Sequence, residues 1–241
     1  MADLDCRDRR KEEYVHRMFS SIAGRYDRMN TVMTLSRDKY WRRFAVRQMG
    51  LNKGDRALDV ACGTAMLARE MALAIGSGGR VVGVDFCAPM LEKGRENLTR
   101  WGLGTSVSLV EGDAMQLPFA DGEFAGAVSG FALRNVPDIP RVLAEMARVV
   151  RPGGRVVTLE LARPWVPVFK ELYFLYFDRL VPLLGRLGAG ASGPYSYLPR
   201  SLKGFPHQRE IAKIFSAVGL KDVRYFELTG GIVAVHVGTV A

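Results

Sequence analysis

Residues 57–64 read ALDVACGT, and a little further on residues 81–86 read VVGVDF. The first segment is an apolar run that stops at a small-residue turn and passes into MLAREMALAI. A buried parallel strand running into a helix has this pattern. The second segment is a short β-branched strand ending on Asp85. A glycine in the first turn lets backbone approach a ligand, and a carboxylate at the tip of the second strand can accept from both ribose hydroxyls. Together they predict a nucleoside-binding crevice.

The turn narrows the choice of nucleoside. A dinucleotide site uses G-x-G-x-x-G, because its pyrophosphate sits on backbone N–H groups at a helix start. Residues 61–66 read ACGTAM, with Gly63 the single glycine, so that cradle is missing. Asp59, inside the strand end, would repel a phosphate but suits a cation. S-adenosylmethionine has a sulfonium, an ammonium tail, an adenosine ribose and no phosphate, and it fits these features. An ordinary α/β turn without a ligand shares the outline, so the reading needs support from elsewhere in the chain.

The chain has 241 residues, enough for one domain with a full core. With 48% hydrophobic and 24% charged residues its composition is that of a soluble globular protein. The net charge of +9 is compatible with nucleic acid, an anionic membrane surface or no specific partner. No aromatic-interleaved basic tract supports nucleic acid, which is not expected as a partner. The start of the chain lacks a signal-like apolar region, and no uncharged run reaches the length of a membrane span. Cys6, Cys62 and Cys87 lack metal-ligand spacing, and His16, His207 and His236 are too scattered for zinc. These features point to a reduced cytoplasmic protein without a metal.

Residues 8–24 read as a helix, with Tyr14, Met18 and Ile22 on one face. Residues 26–37 read as a loop, followed by a helix from about Asp38 to Met49. From Ala57 on, six strand–helix alternations predict a parallel sheet. Helix 88–100 precedes strand 107–111, then strand 126–130, helix 139–149, a turn at 151–154 and strand 155–161. Residues 163–206 form a long insertion rich in aromatic residues, and a connection of that length is usually functional. Helix 208–217 and the strands 223–228 and 232–237, joined as a hairpin through Thr229-Gly230-Gly231, complete the order.

Asp113, after the third strand, stands where an acid can accept from an adenine amino group. With the first two elements it marks three consecutive strand C-termini on one sheet edge, where ligands of open α/β sheets bind. The stretch GFALRNVPD, residues 130–138, ends the fourth strand, where the group to be modified would lie. Arg134 there can stabilise negative charge on a substrate oxygen, with Asn135 orienting it or a water. A carboxylate partner would instead make Arg134 part of the scaffold.

Taken together, the chain resembles the UbiE/COQ5 family of class I methyltransferases, which C-methylate the ring of ubiquinone or menaquinone precursors. The resemblance spans nearly the whole length. It rests on YDRMNTVM (residues 26–33) with Trp41, on LDVACGT, VVGVDFCAPML, ALRNVPD, YSYLPRSLKGFP and LTGGIVAVHVG. The first, fourth and fifth of these are the family-specific ones; the donor-binding turns are shared by many methyltransferases.

The resemblance implies an α/β, Rossmann-like class I S-adenosylmethionine-dependent methyltransferase. Its sheet is mainly parallel and seven-stranded with an antiparallel last strand. Residues 1–241 form a single domain, residues 1–50 a helical cap and residues 163–206 a helical lid insertion. Donor contacts are expected at Asp59, Gly63, Thr64, Asp85, Phe86, Met90, Asp113, Ala114 and Gly130. The expected catalytic residues are Arg134, Asn135 and Tyr26. The implied acceptor is a prenylated quinol, demethylmenaquinol foremost and a ubiquinol precursor next, with peripheral contact at the inner membrane face and room for a homodimer. The chain departs from the family pattern at Cys62, at Ala65 in the G-G-T-G turn, at Gly130 where serine is usual, and at residues 34–39, where S-x-G-x-H-R is usual and TLSRDK stands. These departures bear on the acceptor more than on the reaction. Other readings are methylation of another aromatic or lipid-like acceptor, a cofactor-fold assembly subunit without turnover, and a nicotinamide oxidoreductase. The missing pyrophosphate glycines disfavour the last.

Overall fold

The computed structural model describes residues 13–164, 197, 201–202 and 204–241. Most of the insertion at 163–206, with its aromatic run, and residues 8–12 of the first expected helix lie outside the described residues. Helix α1 is described over 13–22. It is followed by α2 (Tyr26–Met33), α3 (Arg37–Gln48), β1 (Arg56–Val60), α4 (Met66–Ile75), β2 (Arg80–Asp85) and α5 (Ala88–Trp101). Next come β3 (Val107–Glu111), β4 (Phe124–Gly130), α6 (Ile139–Val149), β5 (Val150–Leu161), α7 (Gln208–Ala217), β6 (Lys221–Leu228) and β7 (Val233–Thr239).

The seven strands form one sheet in the order β3-β2-β1-β4-β5-β7-β6. The pairs from β3 through β5 are parallel, and β7 runs antiparallel to both β5 and β6. This is the mainly parallel sheet with an antiparallel last strand that the sequence predicts. The order reverses between β1 and β4, which opens a crevice at their carboxyl ends. β1 and β4 are almost wholly buried, as central strands covered on both faces must be. One core layer packs α3 and α4 residues such as Trp41, Ala45 and Met71 on the sheet; the other packs Leu143, Met146 and Phe215 on its opposite face.

Two local expectations are corrected. Residues 26–33 form helix α2 rather than a loop. Its N-cap, Arg25, makes no side-chain cap, so the helix rests on tertiary contacts: Met29 is buried, and Asp27 accepts from Thr64 in the turn after β1 and from Asn97 on α5. The turn at 151–154 lies inside β5, because Val150 already pairs with Phe124 before the register shift that brings Arg155 opposite Gly126. In addition, β3 passes to β4 without a helix between them.

The sequence-distant motifs meet in space. The Trp41 indole N–H donates to the Thr229 hydroxyl at 2.8 Å, tying α3 to the β6–β7 turn. Arg155 donates to the Gln48 carbonyl at 3.1 Å and fixes the far end of α3 to β5. Helix α3 is thereby held against the sheet beside the crevice.

Candidate functional site

A cavity of about 310 Å³ opens at the carboxyl ends of β1, β2 and β4, within the size range of small-molecule sites. Its walls include Tyr26, Asp59, Gly63, Thr64, Asp85, Phe86, Met90, Asp113, Ala114, Gly130 and Asn135. Every residue expected at the site is therefore brought to one cavity except Arg134, which lines a neighbouring one with Tyr14, Tyr197 and Phe205.

The turn after β1 is shaped by left-handed backbone. Ala61 (φ 56°), Gly63 (φ 52°) and Ala65 (φ 66°) alternate with ordinary residues. Only glycine takes such angles without strain, so Ala61 and Ala65 are held there by their surroundings. Ala65 is fully buried. Helix α5 comes close to this turn because Gly94 faces it: a Cβ there would lie 3.2 Å from the Gly63 carbonyl oxygen.

Asp85 ties the two donor turns together. One oxygen accepts from the Gly63 N–H at 2.7 Å and the other from the Cys87 N–H at 2.9 Å. Burial raises its pKa, while the Cys87 and Gly63 amides oppose that rise. Each oxygen keeps a lone pair for a ribose hydroxyl. Asp113 is exposed at the β3 end, where one oxygen accepts from the Met115 N–H at 2.8 Å. Phe86 is 40% exposed at the rim, and Met90 is buried against the Gly63 turn.

Asp59 is fully buried. Its Oδ2 accepts from the Ala68 N–H at 2.8 Å, whereas its Oδ1 has no partner among the described residues. Burial pushes its carboxyl up to about 8. A buried acid with one unpaired oxygen on a cavity wall is a receptor for a cation.

Thr64 donates its hydroxyl to Asp27 Oδ1 at 2.5 Å, and its carbonyl accepts from the Asn97 amide at 3.1 Å. Asn97 also donates to Asp27 Oδ2 at 3.0 Å. Asp27 thus clamps α2 onto the donor turn. Sequence reasoning missed this role, although Asp27 stands beside Tyr26 in the YDRMN segment. Tyr26 is half-buried; burial raises its phenol above its ordinary pKa, against the lowering effect of Arg134 and of a hydrogen bond with Asn30. It therefore remains a protonated donor at neutral pH.

Asn135 follows β4 and is buried. Its amide N–H₂ donates to the Phe131 carbonyl at 3.4 Å, and its Oδ1 has no partner among the described residues. Arg134 precedes it and faces the other way, into the neighbouring cavity. Its Nη1 donates to Glu160 on β5, and both side chains are buried. The Arg134 N–H reaches the same carboxylate at 3.4 Å. The guanidinium is therefore paired with a carboxylate, while its buried Nε has no partner among the described residues. Glu160 was not anticipated; the signal was a single acid in the apolar run VVTLEL of β5.

A second buried arginine also escaped the sequence reading. Arg42 on α3 lines the main cavity and donates from Nη1 to Asp38. The spacing of Asp38, Trp41, Arg42, Ala45 and Val46, all buried, puts both charged residues on the inner face of the helix. That pattern was visible in the sequence. Among the described residues no group of His, Cys, Asp and Glu is placed to hold a metal, and no helix is long and apolar enough to cross a membrane.

Comparison with known proteins adds to this geometry. The profile of the ubiE/COQ5 methyltransferase family matches residues 7–240. The demethylmenaquinone methyltransferase of Desulfitobacterium hafniense (strain Y51) is 46% identical over 98% of this chain and 93% of its own. The enzyme of the same name from Shouchella clausii (strain KSM-K16) is 44% identical over 95% of this chain and 97% of its own. Among solved structures, a SAM-dependent methyltransferase from Aquifex aeolicus superposes with a TM-score of 0.65 at 16% identity, over 89% of this chain and 98% of that one. A geranyl diphosphate C-methyltransferase from Streptomyces coelicolor A3(2) gives 0.62 at 16% identity, over 85% and 79% of the two chains. At such identities the structural matches speak for the fold, which is that of class I methyltransferases.

Proposed function

The chain belongs to the ubiE/COQ5 methyltransferase family, and from that membership we propose that it methylates a ring carbon of a demethylmenaquinol with S-adenosylmethionine as donor. The observation that carries this reading is the pair of unpartnered buried oxygens, Asp59 Oδ1 and Asn135 Oδ1, on the walls of one cavity. The first suits the ammonium of the donor, the second a hydroxyl of the acceptor. Asp85 and Asp113 supply acceptors for ribose and adenine, and Gly63, Thr64, Phe86, Met90, Ala114 and Gly130 complete the donor walls.

When bound, S-adenosylmethionine supplies an electrophilic methyl whose bond to sulfur breaks with the electron pair left on sulfur. The ring carbon forms the new bond, and the ring proton then leaves to solvent. The protein's part is to hold the two partners in line, a contribution that can be worth ~7–11 kcal/mol in a well-oriented system. Asn135 Oδ1 orients a quinol hydroxyl by accepting its hydrogen bond. Once the other quinol hydroxyl has lost its proton to water, Tyr26, kept protonated by burial, donates to that oxyanion and holds it in place; a donor of this kind is worth ~2.7–4 kcal/mol. The Arg134–Glu160 pair, electrically neutral as a unit, holds the segment carrying Asn135.

The long apolar acceptor resides in lipid, and the net charge of +9 favours peripheral contact with an anionic membrane surface. A methyl-transfer assay with labelled donor tests the assignment, using short-chain demethylmenaquinol and a short-chain ubiquinol precursor that lacks its ring methyl. Label should pass to the first; transfer to the second alone would replace the substrate named here.

A further inference from the structure

Arg42 is a buried cation with unused donors. It is 6% exposed, its Nη1 is engaged by Asp38, and its Nε and Nη2 donate to no described residue. The guanidinium lies 5.8 Å from the centre of the Phe131 ring, at the exit of β4, and lines the cavity. Its charge also reaches Asp59, where it opposes the rise in the carboxyl pKa. One carboxylate and one guanidinium, each buried and each with unused hydrogen-bonding capacity, therefore share the cavity wall where β1 and β4 diverge.

The sheet order fixes what should lie there. Asp113, Asp85 and Asp59 stand at the ends of β3, β2 and β1, which are consecutive neighbours. A nucleoside with its base at β3 and its ribose at β2 carries its remaining substituent toward β1 and β4. In S-adenosylmethionine that substituent ends in an α-amino acid, which bears one ammonium and one carboxylate. Asp59 can receive the ammonium, and Arg42 presents a planar fork suited to the carboxylate.

We propose that Arg42 recognises the methionyl carboxylate and forms, with Asp59, a two-charge clamp on the amino-acid end of the donor. The proposal rests on the methyltransferase reading given above. Asp38 holds the guanidinium in place through Nη1 and leaves its other nitrogens for the ligand. The clamp selects the donor by its zwitterionic tail, independently of the adenosine contacts at β2 and β3. Arg42 is a binding and positioning residue; it does not take part in bond exchange.

Calorimetry on the full chain separates this role from a structural one. Three ligands are titrated: S-adenosylhomocysteine, S-adenosyl-3-thiopropylamine (which lacks only the carboxylate) and 5′-methylthioadenosine (which lacks the whole tail). The wild type should bind the first at least tenfold more tightly than the second. Arg42→Gln should bind these two alike, and Arg42→Lys, which keeps a charge beside Asp38, should fall between. Both variants should bind 5′-methylthioadenosine as the wild type does, which shows the pocket to be intact. If Arg42→Gln keeps the wild-type preference, or weakens all three ligands equally, the clamp is wrong while the methyltransferase reading stands. Failure of the wild type to bind any of the three would overturn both.

Discussion

Arg134, just past the end of β4, is ion-paired with Glu160 on β5, and both side chains are withdrawn from solvent. Gly130 lies opposite Leu159 in the parallel pair, so the chain leaving β4 passes directly over Glu160. The pair joins the segment after β4 to the sheet. It also explains why Arg134 lines the neighbouring cavity and not the one that holds Asp59 and Asn135.

Arg134→Met should lower the melting temperature sharply, because Glu160 would be left buried without a counter-charge, held by backbone N–H groups alone, at a cost of ~3–5 kcal/mol. The double variant Arg134→Met with Glu160→Leu should recover most of that loss. Thermal melts of the three proteins decide the matter. A single variant as stable as the double would mean that the pair contributes nothing to the scaffold.

Asp27→Ala removes the acceptor for both Thr64 and Asn97. Leaving buried donors short of a partner costs ~1–3 kcal/mol, and ~1.4 kcal/mol is tenfold in affinity. S-adenosylhomocysteine should therefore bind roughly tenfold more weakly, as read by calorimetry. Wild-type affinity in this variant would show that α2 does not support the donor turn.

Asp59, with its carboxyl pushed up to about 8, is about nine-tenths protonated at pH 7 in the ligand-free protein. An ammonium beside it favours the ionised form, so binding S-adenosylhomocysteine should release close to one proton. Titrations at pH 7 in two buffers of different ionisation enthalpy measure that release, and Asp59→Asn should abolish it. The same shift has a stability consequence. The folded pKa lies above the unfolded value of 3.8, so stability is lost as pH rises from about 4 towards about 8, at ~1.4 kcal/mol per pH unit. Asp59→Asn should then gain more melting temperature over the wild type at pH 8 than at pH 5.

His236 on β7 shares a 2.8 Å hydrogen bond between its Nε2 and the Gln208 carbonyl oxygen, so Nε2 carries the proton. Burial depresses its pKa from 6.5 to about 4. The unfolded chain takes up a proton that the folded one refuses, so stability is present above pH 6.5 and is lost as pH falls toward 4. The loss amounts to about 3 kcal/mol over that window. Denaturant titrations of wild type and His236→Gln at pH 7 and pH 4.5 should show the smaller acid loss in the variant. Equal losses would assign the acid sensitivity to other groups.

Much of this fold is legible because central parallel strands and their turns are written locally. ALDVACGT and VVGVDF give β1, β2 and their turns almost residue for residue, and α6 and α7 fall where their periodicity puts them. Helix α2 is not legible, since Arg25 gives it no cap and it is held by Met29 and Asp27 against distant elements. The RPGG segment, Arg151–Gly154, has turn composition, yet a bulged pairing with β4 absorbs it into β5. The partners of Arg134 and Arg42 differ in the same respect. Glu160 comes within reach only once β4 and β5 are known to be neighbours, whereas Asp38 lies one helical turn from Arg42 and could have been read from spacing.

Tyr26 and Asp27 are consecutive on α2: the first lines the cavity, and the second accepts from the donor turn at Thr64. Whatever shifts α2 therefore changes the free energy of both ligands at once. Reciprocity then applies: the factor by which bound donor tightens the acceptor must equal the factor by which bound acceptor tightens the donor. A coupling in the usual range of ~1–3 kcal/mol would make the ternary complex far more populated than two independent affinities imply. Donor bound alone would be held more weakly than donor bound beside quinol, by that same factor.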